Sequence, residues 1–272
     1  MAGQKRAKEV ARAKYERQQA RRRQQERARR RNMLIAGGVG GLILIVGIVI
    51  AVKPESNTTA NPTPTSSASR PPAPVPTPSG ISCSTVEPGE TSAKYQSPTD
   101  MRLKPGSAMT LDTNCGPVTY RLDVAKAPKS SNALAFLASK GWYNNSNCPR
   151  LAVDGIFVVQ CGAAKADGSG SPGFTIVDEN KPKAGPGGAA TYPRGTVAMA
   201  NRGPNTSSSQ FFIVYKDTTL APDYTIVGQG TSGLEVIEYV ASQGVSGDSQ
   251  NLSDGPPAQP LVIKTATVRN GP

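Results

Sequence analysis

One uninterrupted apolar run constrains this chain more than any other feature. Met33–Val52 reads MLIAGGVGGLILIVGIVIAV, 20 residues without a charge. As a helix rising 1.5 Å per residue it is about 30 Å long, the thickness of a bilayer's hydrocarbon core. A cleaved signal peptide is the alternative, but its apolar core is usually only about 7 to 15 residues, and Ala51-Val52-Lys53 is a poor small-x-small cleavage site. Arginines on one side and a Pro-rich stretch on the other leave nothing for a globular core to pack around the run. It is therefore expected to cross a membrane once.

Charge sets the expected orientation. Residues 1–32 hold 13 of the 31 Lys+Arg and 3 of the 19 Asp+Glu, so this tail carries +10 of the net +12 and the other 240 residues carry +2. After the run, only Lys53 and Arg70 are positive within some twenty residues, so the N-terminus is expected on the cytoplasmic side. The tail is a topology determinant on the simplest reading. Binding to anionic lipid is the alternative partner, and nucleic acid is a weaker one because the excess charge is confined to one short segment. Residues 53–80 follow with eight prolines between Pro54 and Gly80 and many Ser and Thr, a composition that buries too little apolar surface to offset chain entropy. The layout expected from sequence is thus a basic cytoplasmic tail (1–32), a transmembrane helix (33–52), a disordered Pro/Ser/Thr-rich linker (53–80) and an outward-facing domain (81–272).

The chain has no histidine, which removes the commonest general base, His-ligated metal sites and Ser-His or Cys-His nucleophile pairs. No metal or cofactor is expected. Cys83, Cys115, Cys148 and Cys161 lack CxxC spacing, so a zinc or thioredoxin-like site is not indicated. An even count outside the cytoplasm suggests two disulfides, with four reduced buried thiols as the alternative.

Past residue 81, alternating hydrophobicity returns. Residues 108–114 and 117–123 read as two strands around the turn Asn114-Cys115-Gly116, with Val118, Tyr120 and Leu122 on one face. Residues 130–140 read as a helix with a Ser cap and Gly141 past its end. A second helix is expected after Ser232, which with Glu235 makes a capping-box pattern. Short strands are expected at 156–160, 196–200, 211–215, 224–228 and 261–268, and the ensemble suggests a closed antiparallel barrel with helical lids.

One stretch is more specific. GTVAMANRGPNTSSSQFFI, residues 195–213, resembles the central signature of the cyclophilins, the peptidyl-prolyl cis/trans isomerases, among which are membrane-anchored members of actinobacteria. AKAPKSSNALAFLASKGWYNN, CPRLAVDGIFVVQCG, SPGFTIVDEN and DYTIVGQ flank it in the family's order, so the resemblance covers about residues 100–270. It implies a mainly β fold, a closed eight-stranded antiparallel β-barrel capped by two α-helices. It also implies isomerisation of X-Pro bonds in exported, proline-containing polypeptides, with a low-activity proline-peptide binding module or chaperone as the alternative.

Carried over residue by residue, the resemblance makes Arg150 the catalytic arginine, in CPR where the family usually shows Phe-His-Arg. Gln160 and Phe157 join it as catalytic neighbours, with two extra residues between Arg150 and Phe157. Val158, Ala200, Asn201, Phe212, Thr219, Leu220 and Tyr224 become the proline-binding groove. Val158 stands where the family has methionine, Thr219 where many members have an aromatic residue, and Tyr224 where histidine is usual. Read alone, Phe157, Phe212 and Leu220 are ordinary core residues. The resemblance also places Cys148 and Cys161 on adjacent antiparallel strands as a cross-strand disulfide, leaving Cys83 to pair with Cys115.

Overall fold

The structure is a computed structural model describing residues 80–247 and 253–272. The basic tail, the apolar run 33–52 and all of the linker except Gly80 lie outside the described residues. No helix among the described residues is long and apolar enough to cross a membrane.

Twelve strands and two helices form among the described residues. β1 (Ala108–Thr113) and β2 (Gly116–Leu122) make the expected hairpin, and Val118, Tyr120 and Leu122 are buried on one face. α1 (Pro128–Ser139) follows. Then come β3 (Ser146–Asn147), β4 (Arg150–Ala152), β5 (Val158–Cys161), β6 (Ala190–Tyr192), β7 (Thr196–Met199), β8 (Phe211–Val214), β9 (Thr218–Leu220) and β10 (Ile226–Ser232). α2 (Leu234–Ser242), β11 (Asp254–Gly255) and β12 (Val262–Arg269) complete the order.

Ten strands form one curled antiparallel sheet in the order β11-β4-β5-β8-β7-β10-β2-β1-β12-β3, and β6 pairs with β9 separately. This corrects the expected closed eight-stranded barrel: the sheet is a half-barrel whose end strands, β11 and β3, are two residues each. Their sequences explain why pairing stops. β11 runs into Pro256-Pro257 and β3 into Cys148-Pro149, and proline has no N–H to extend a ladder.

Both helix starts differ from the sequence expectation. α1 begins at Pro128, not Ser130, and its first turn is capped from outside: Glu179 accepts from the Lys129 and Ser130 N–H groups at 3.1 and 2.9 Å and from the Ser130 hydroxyl at 2.9 Å. A carboxylate at a helix N-terminus also meets the positive end of its dipole. At α2 the capping box does not form, because Ser232 is still in β10 and Gly233 takes the cap position with φ 77°. A side chain at Gly233 would run into the Pro117 carbonyl, so close approach of α2 to β2 selects glycine there.

Strand alternation sorts the apolar residues into two clusters. One face of the sheet carries Met109, Tyr120, Leu151, Val159, Phe211 and Ile213, which pack with Leu134, Leu137 and Ile237 from the helices into the main core. β8, FFIV, is buried throughout, because Phe211 and Ile213 enter that core while Phe212 and Val214 join a second cluster on the other face.

Two disulfides close the domain, Cys83–Cys115 and Cys148–Cys161. Sequence separations of 32 and 13 correspond to about 4 and 3 kcal/mol of loop-closure entropy removed from the unfolded chain. The first ties the segment preceding β1 to the first hairpin, where Ser84 N–H also donates to the Asn114 carbonyl at 2.9 Å.

Candidate functional site

Most of the candidate residues collect on the sheet face opposite the main core. Register pairs Arg150 on β4 with Gln160 on β5, Gln160 with Phe212 on β8, and Phe212 with Ala198 on β7. Residues directly opposite in an antiparallel sheet share a face, so these four form one row across four strands. A neighbouring row consists of Ala152, Val158 and Val214. The result is a guanidinium and an amide at one end of an apolar strip.

Val158, Phe212, Ala198 and Val214 belong to the second cluster, against which Ala200, Leu220 and Tyr224 pack. The β6–β9 pair contributes Ala190, Tyr192 and Leu220 to the same cluster. Tyr192, Phe212 and Tyr224 form a triangle of edge-to-face rings, with centroids 5.3 to 6.3 Å apart. Tyr192 is fully buried. Its hydroxyl donates to the Ala221 carbonyl at 3.1 Å and accepts from the Tyr224 N–H at 3.2 Å. Burial pushes that phenol up to about 12. Tyr192 thus holds the turn carrying Tyr224 over Phe212, although nothing in the sequence pattern had singled it out.

One expected groove residue, Thr219, and one expected catalytic neighbour, Phe157, stand elsewhere. Thr219 is exposed opposite Thr191, on the face of the β6–β9 pair that points away from the cluster, because Thr218 and Leu220 alternate inward around it. Phe157 also lies outside the cluster. Its ring meets Tyr215 edge to face at 6.0 Å, and Lys216 Nζ sits 4.4 Å from its centroid. Its N–H donates to Thr218 Oγ1 at 2.7 Å.

Asn201 Nδ2 donates to the Asp223 carbonyl at 2.9 Å, and its Oδ1 accepts from Gly203 N–H at 3.2 Å. It joins the turn after β7 to the turn before β10. Beside it, a polar cavity of about 400 Å³ is lined by Gln160, Gly170, Ala200, Asn201, Arg202 and Gln210, among others. Another cavity, about 390 Å³, lies between residues 83–88 and 256–262 and contains none of the candidate groove residues.

The guanidinium is tightly placed. Arg150 Nε and Nη2 donate to Asp254 Oδ1 and Oδ2 at 2.8 and 2.7 Å, and Nη1 donates to Gln160 Oε1 at 3.2 Å. Gln160 Nε2 donates to Gln210 Oε1 at 2.7 Å, and Gln210 Nε2 to the Gly168 carbonyl at 3.0 Å. Hydrogen bonding to Asp254 raises the Arg150 pKa against the opposing effect of burial, so the group stays cationic. Asp254 came from outside every motif, in a DGPP stretch that reads only as a turn. The Cys148–Cys161 bridge brackets the Arg150–Gln160 pair, as the resemblance implied.

A fixed cation beside an apolar strip suits binding and conformational chemistry. A family model for cyclophilin type peptidyl-prolyl cis-trans isomerases matches residues 108–268, more than half of the chain. The chain belongs to the cyclophilin family.

Among cyclophilin relatives, a probable peptidyl-prolyl cis-trans isomerase B of Mycobacterium leprae is 36% identical over 200 residues, 68% of this chain and 66% of that protein. The corresponding protein of Mycobacterium tuberculosis is 38% identical over 166 residues, 57% and 52% of the two chains. This chain therefore spans about half to two thirds of the length of these relatives. A crystal structure of a cyclophilin type isomerase from Cryptosporidium parvum superposes with a TM-score of 0.51 at 26% identity, covering 61% of this chain and 99% of that one. The same protein was also crystallised in the presence of the dipeptide Ala-Pro, with a TM-score of 0.50 and 25% identity.

Proposed function

We propose that this chain is a peptidyl-prolyl cis/trans isomerase that acts on X-Pro bonds of exported polypeptides. One observation carries the reading: in a cyclophilin fold, the Arg150 guanidinium is fixed beside the Phe212 cluster. Rotation about a peptide bond meets a barrier of about 18 to 20 kcal/mol, because resonance stiffens the C–N bond. In the twisted state that resonance is broken and the nitrogen becomes pyramidal and basic. An Arg150 N–H directed at that nitrogen stabilises the twisted amide more than either planar isomer, which is the differential binding that accelerates a reaction. Phe212, Leu220, Val158 and Ala200 seat the pyrrolidine ring, Tyr224 closes over it, and Gln160 orients the guanidinium. Asn201 anchors the residue before proline through its backbone. Each 1.36 kcal/mol gained at the twisted state is worth a factor of ten in rate. No group transfers a proton, so the absence of histidine costs this mechanism nothing.

The proposal includes a cell-membrane location, with residues 33–52 as a single span, residues 1–32 in the cytoplasm near anionic lipid, and the domain outside. Its support is the sequence: the uncharged run, the Lys/Arg bias and the four cysteines. Two disulfides in the domain agree with an oxidising compartment. The membrane reading makes exported chains the natural substrates, since X-Pro isomerisation limits refolding over tens to hundreds of seconds.

A second reading is a proline-peptide binding module or chaperone with little rate enhancement, favoured by the displacement of Phe157 from the cluster. Exchange spectroscopy on an X-Pro peptide separates the two. Full-length chain that speeds cis/trans exchange supports the enzyme, and peptide-induced shifts at Phe212 without faster exchange support the binding module.

A further inference from the structure

Arg150 has five N–H donors, and three are engaged within the protein. Asp254 takes the Nε–Nη2 edge as a side-on fork, and Gln160 takes one donor of Nη1. One N–H each on Nη1 and Nη2 has no protein acceptor among the described residues. A group meant to meet a developing lone pair must be fixed before the substrate twists, because reorganisation during the reaction lowers the gain. Gln160 alone makes one bond to a long side chain that is 40% exposed. The carboxylate makes two, in a plane that sets both the position and the tilt of the guanidinium.

The backbone places that carboxylate. β11 is only Asp254 and Gly255, and it pairs with β4 so that Asp254 faces Ala152 and Gly255 faces Leu151. Asp254 is then the diagonal neighbour of Arg150 across the pair, within reach of a long side chain. Gln160 on the other side is fixed by its bond to Gln210. Arg150 is therefore braced from both flanking strands.

We propose that Asp254 is a positioning residue for the isomerisation, acting only through Arg150 by locking the guanidinium in one orientation that leaves an N–H each of Nη1 and Nη2 for the twisted amide. This rests on the isomerase reading above. Arg150→Ala removes the group that Asp254 acts on, so the role is separable from a purely structural tie between β11 and β4.

The test uses the full-length chain as wild type, D254A, D254N, R150A and the R150A/D254A double variant. Cis/trans exchange of an Ala-Pro-containing peptide is followed by NMR, and the peptide Kd by titration. D254A is expected to lower the exchange rate about tenfold while Kd changes less than about twofold. D254N retains more of the rate, because its amide oxygen still accepts one Arg150 N–H. In the R150A background, D254A has no further effect on rate. The Arg150 Nε–H resonance, shifted by the fork in wild type, moves in D254A. A D254A rate equal to wild type overturns the role, and so does an equal further slowing of R150A. Wild type that fails to accelerate exchange overturns the isomerase reading itself, which distinguishes the two failures.

Discussion

Gln160 stands directly opposite Arg150 in the β4–β5 ladder, and its side-chain oxygen accepts from Arg150 Nη1 at 3.2 Å. Its amide nitrogen is committed to Gln210, so the amide cannot turn over without breaking two contacts. Gln160→Ala is expected to lower the exchange rate about tenfold, with thermal stability changed by less than about 1 kcal/mol. Peptide exchange spectroscopy with a parallel denaturant curve checks both; unchanged rate contradicts a role for this pair.

The Cys148–Cys161 bridge closes the loop that carries Arg150. Replacing both with serine is expected to cost about 3 kcal/mol of stability from the 13-residue separation. It should also slow exchange at temperatures where the domain stays folded, because the register of Arg150 and Gln160 loses its covalent bracket. Removing Cys83 and Cys115 should cost about 4 kcal/mol and leave the rate of the folded protein nearly unchanged. Equal effects of the two pairs on rate contradict this division.

Phe212 carries the apolar half of the site, packed between Tyr192 and Tyr224. Phe212→Ala should cost about 3 to 5 kcal/mol of stability and weaken peptide binding. Phe212→Leu keeps most of the buried area, and should retain the fold but bind the proline ring less well. Titration of the leucine variant with wild-type affinity would remove Phe212 from the groove.

Four phenols give the domain an alkaline limit. Burial raises Tyr120, Tyr143, Tyr192 and Tyr215 above the ordinary value of 10.0, Tyr192 to about 12. The folded state keeps these protons after the unfolded chain has lost them, so their contribution is full below pH 10 and falls as pH rises. Between pH 10 and 12 each protonated phenol should lower stability by about 1.4 kcal/mol per pH unit. Urea unfolding of wild type and Tyr192→Phe across that range checks it. The variant should lose about one proton from the slope; identical slopes contradict the assignment.

What the sequence made legible followed element length and locality. β1, β2, β5, β7, β8, β10 and β12 carry enough alternating or continuous apolar residues to announce themselves, and both helices show their period. β3, β4, β6, β9 and β11 have two or three residues each, too few for any period, and exist because longer neighbours supply the partner. The Glu179 cap on α1 and the Asp254 fork on Arg150 join residues about 50 and 104 apart in the chain, beyond any local pattern. Ser232 and Glu235 looked like a capping box, but the close approach of α2 to β2 selected Gly233. In the candidate site, Arg150 and Gln160 share a row with Phe212, and Val158, Ala200, Leu220 and Tyr224 pack in the cluster around it. Thr219 turned outward because its neighbours alternate inward, and Tyr192, which supports Tyr224 from a three-residue strand too short to show a period, gave no sign in the sequence beyond being aromatic.

In the proposed isomerase, the fixed Arg150 guanidinium accelerates X-Pro rotation. The most direct test of that role is the cis/trans exchange rate of a proline peptide with full-length wild type and Arg150→Ala, at matched folded concentration and with peptide affinity measured alongside. Fast exchange is expected with wild type, and a loss of about 100-fold in Arg150→Ala, with Kd little changed. Equal exchange rates for the two proteins contradict that role.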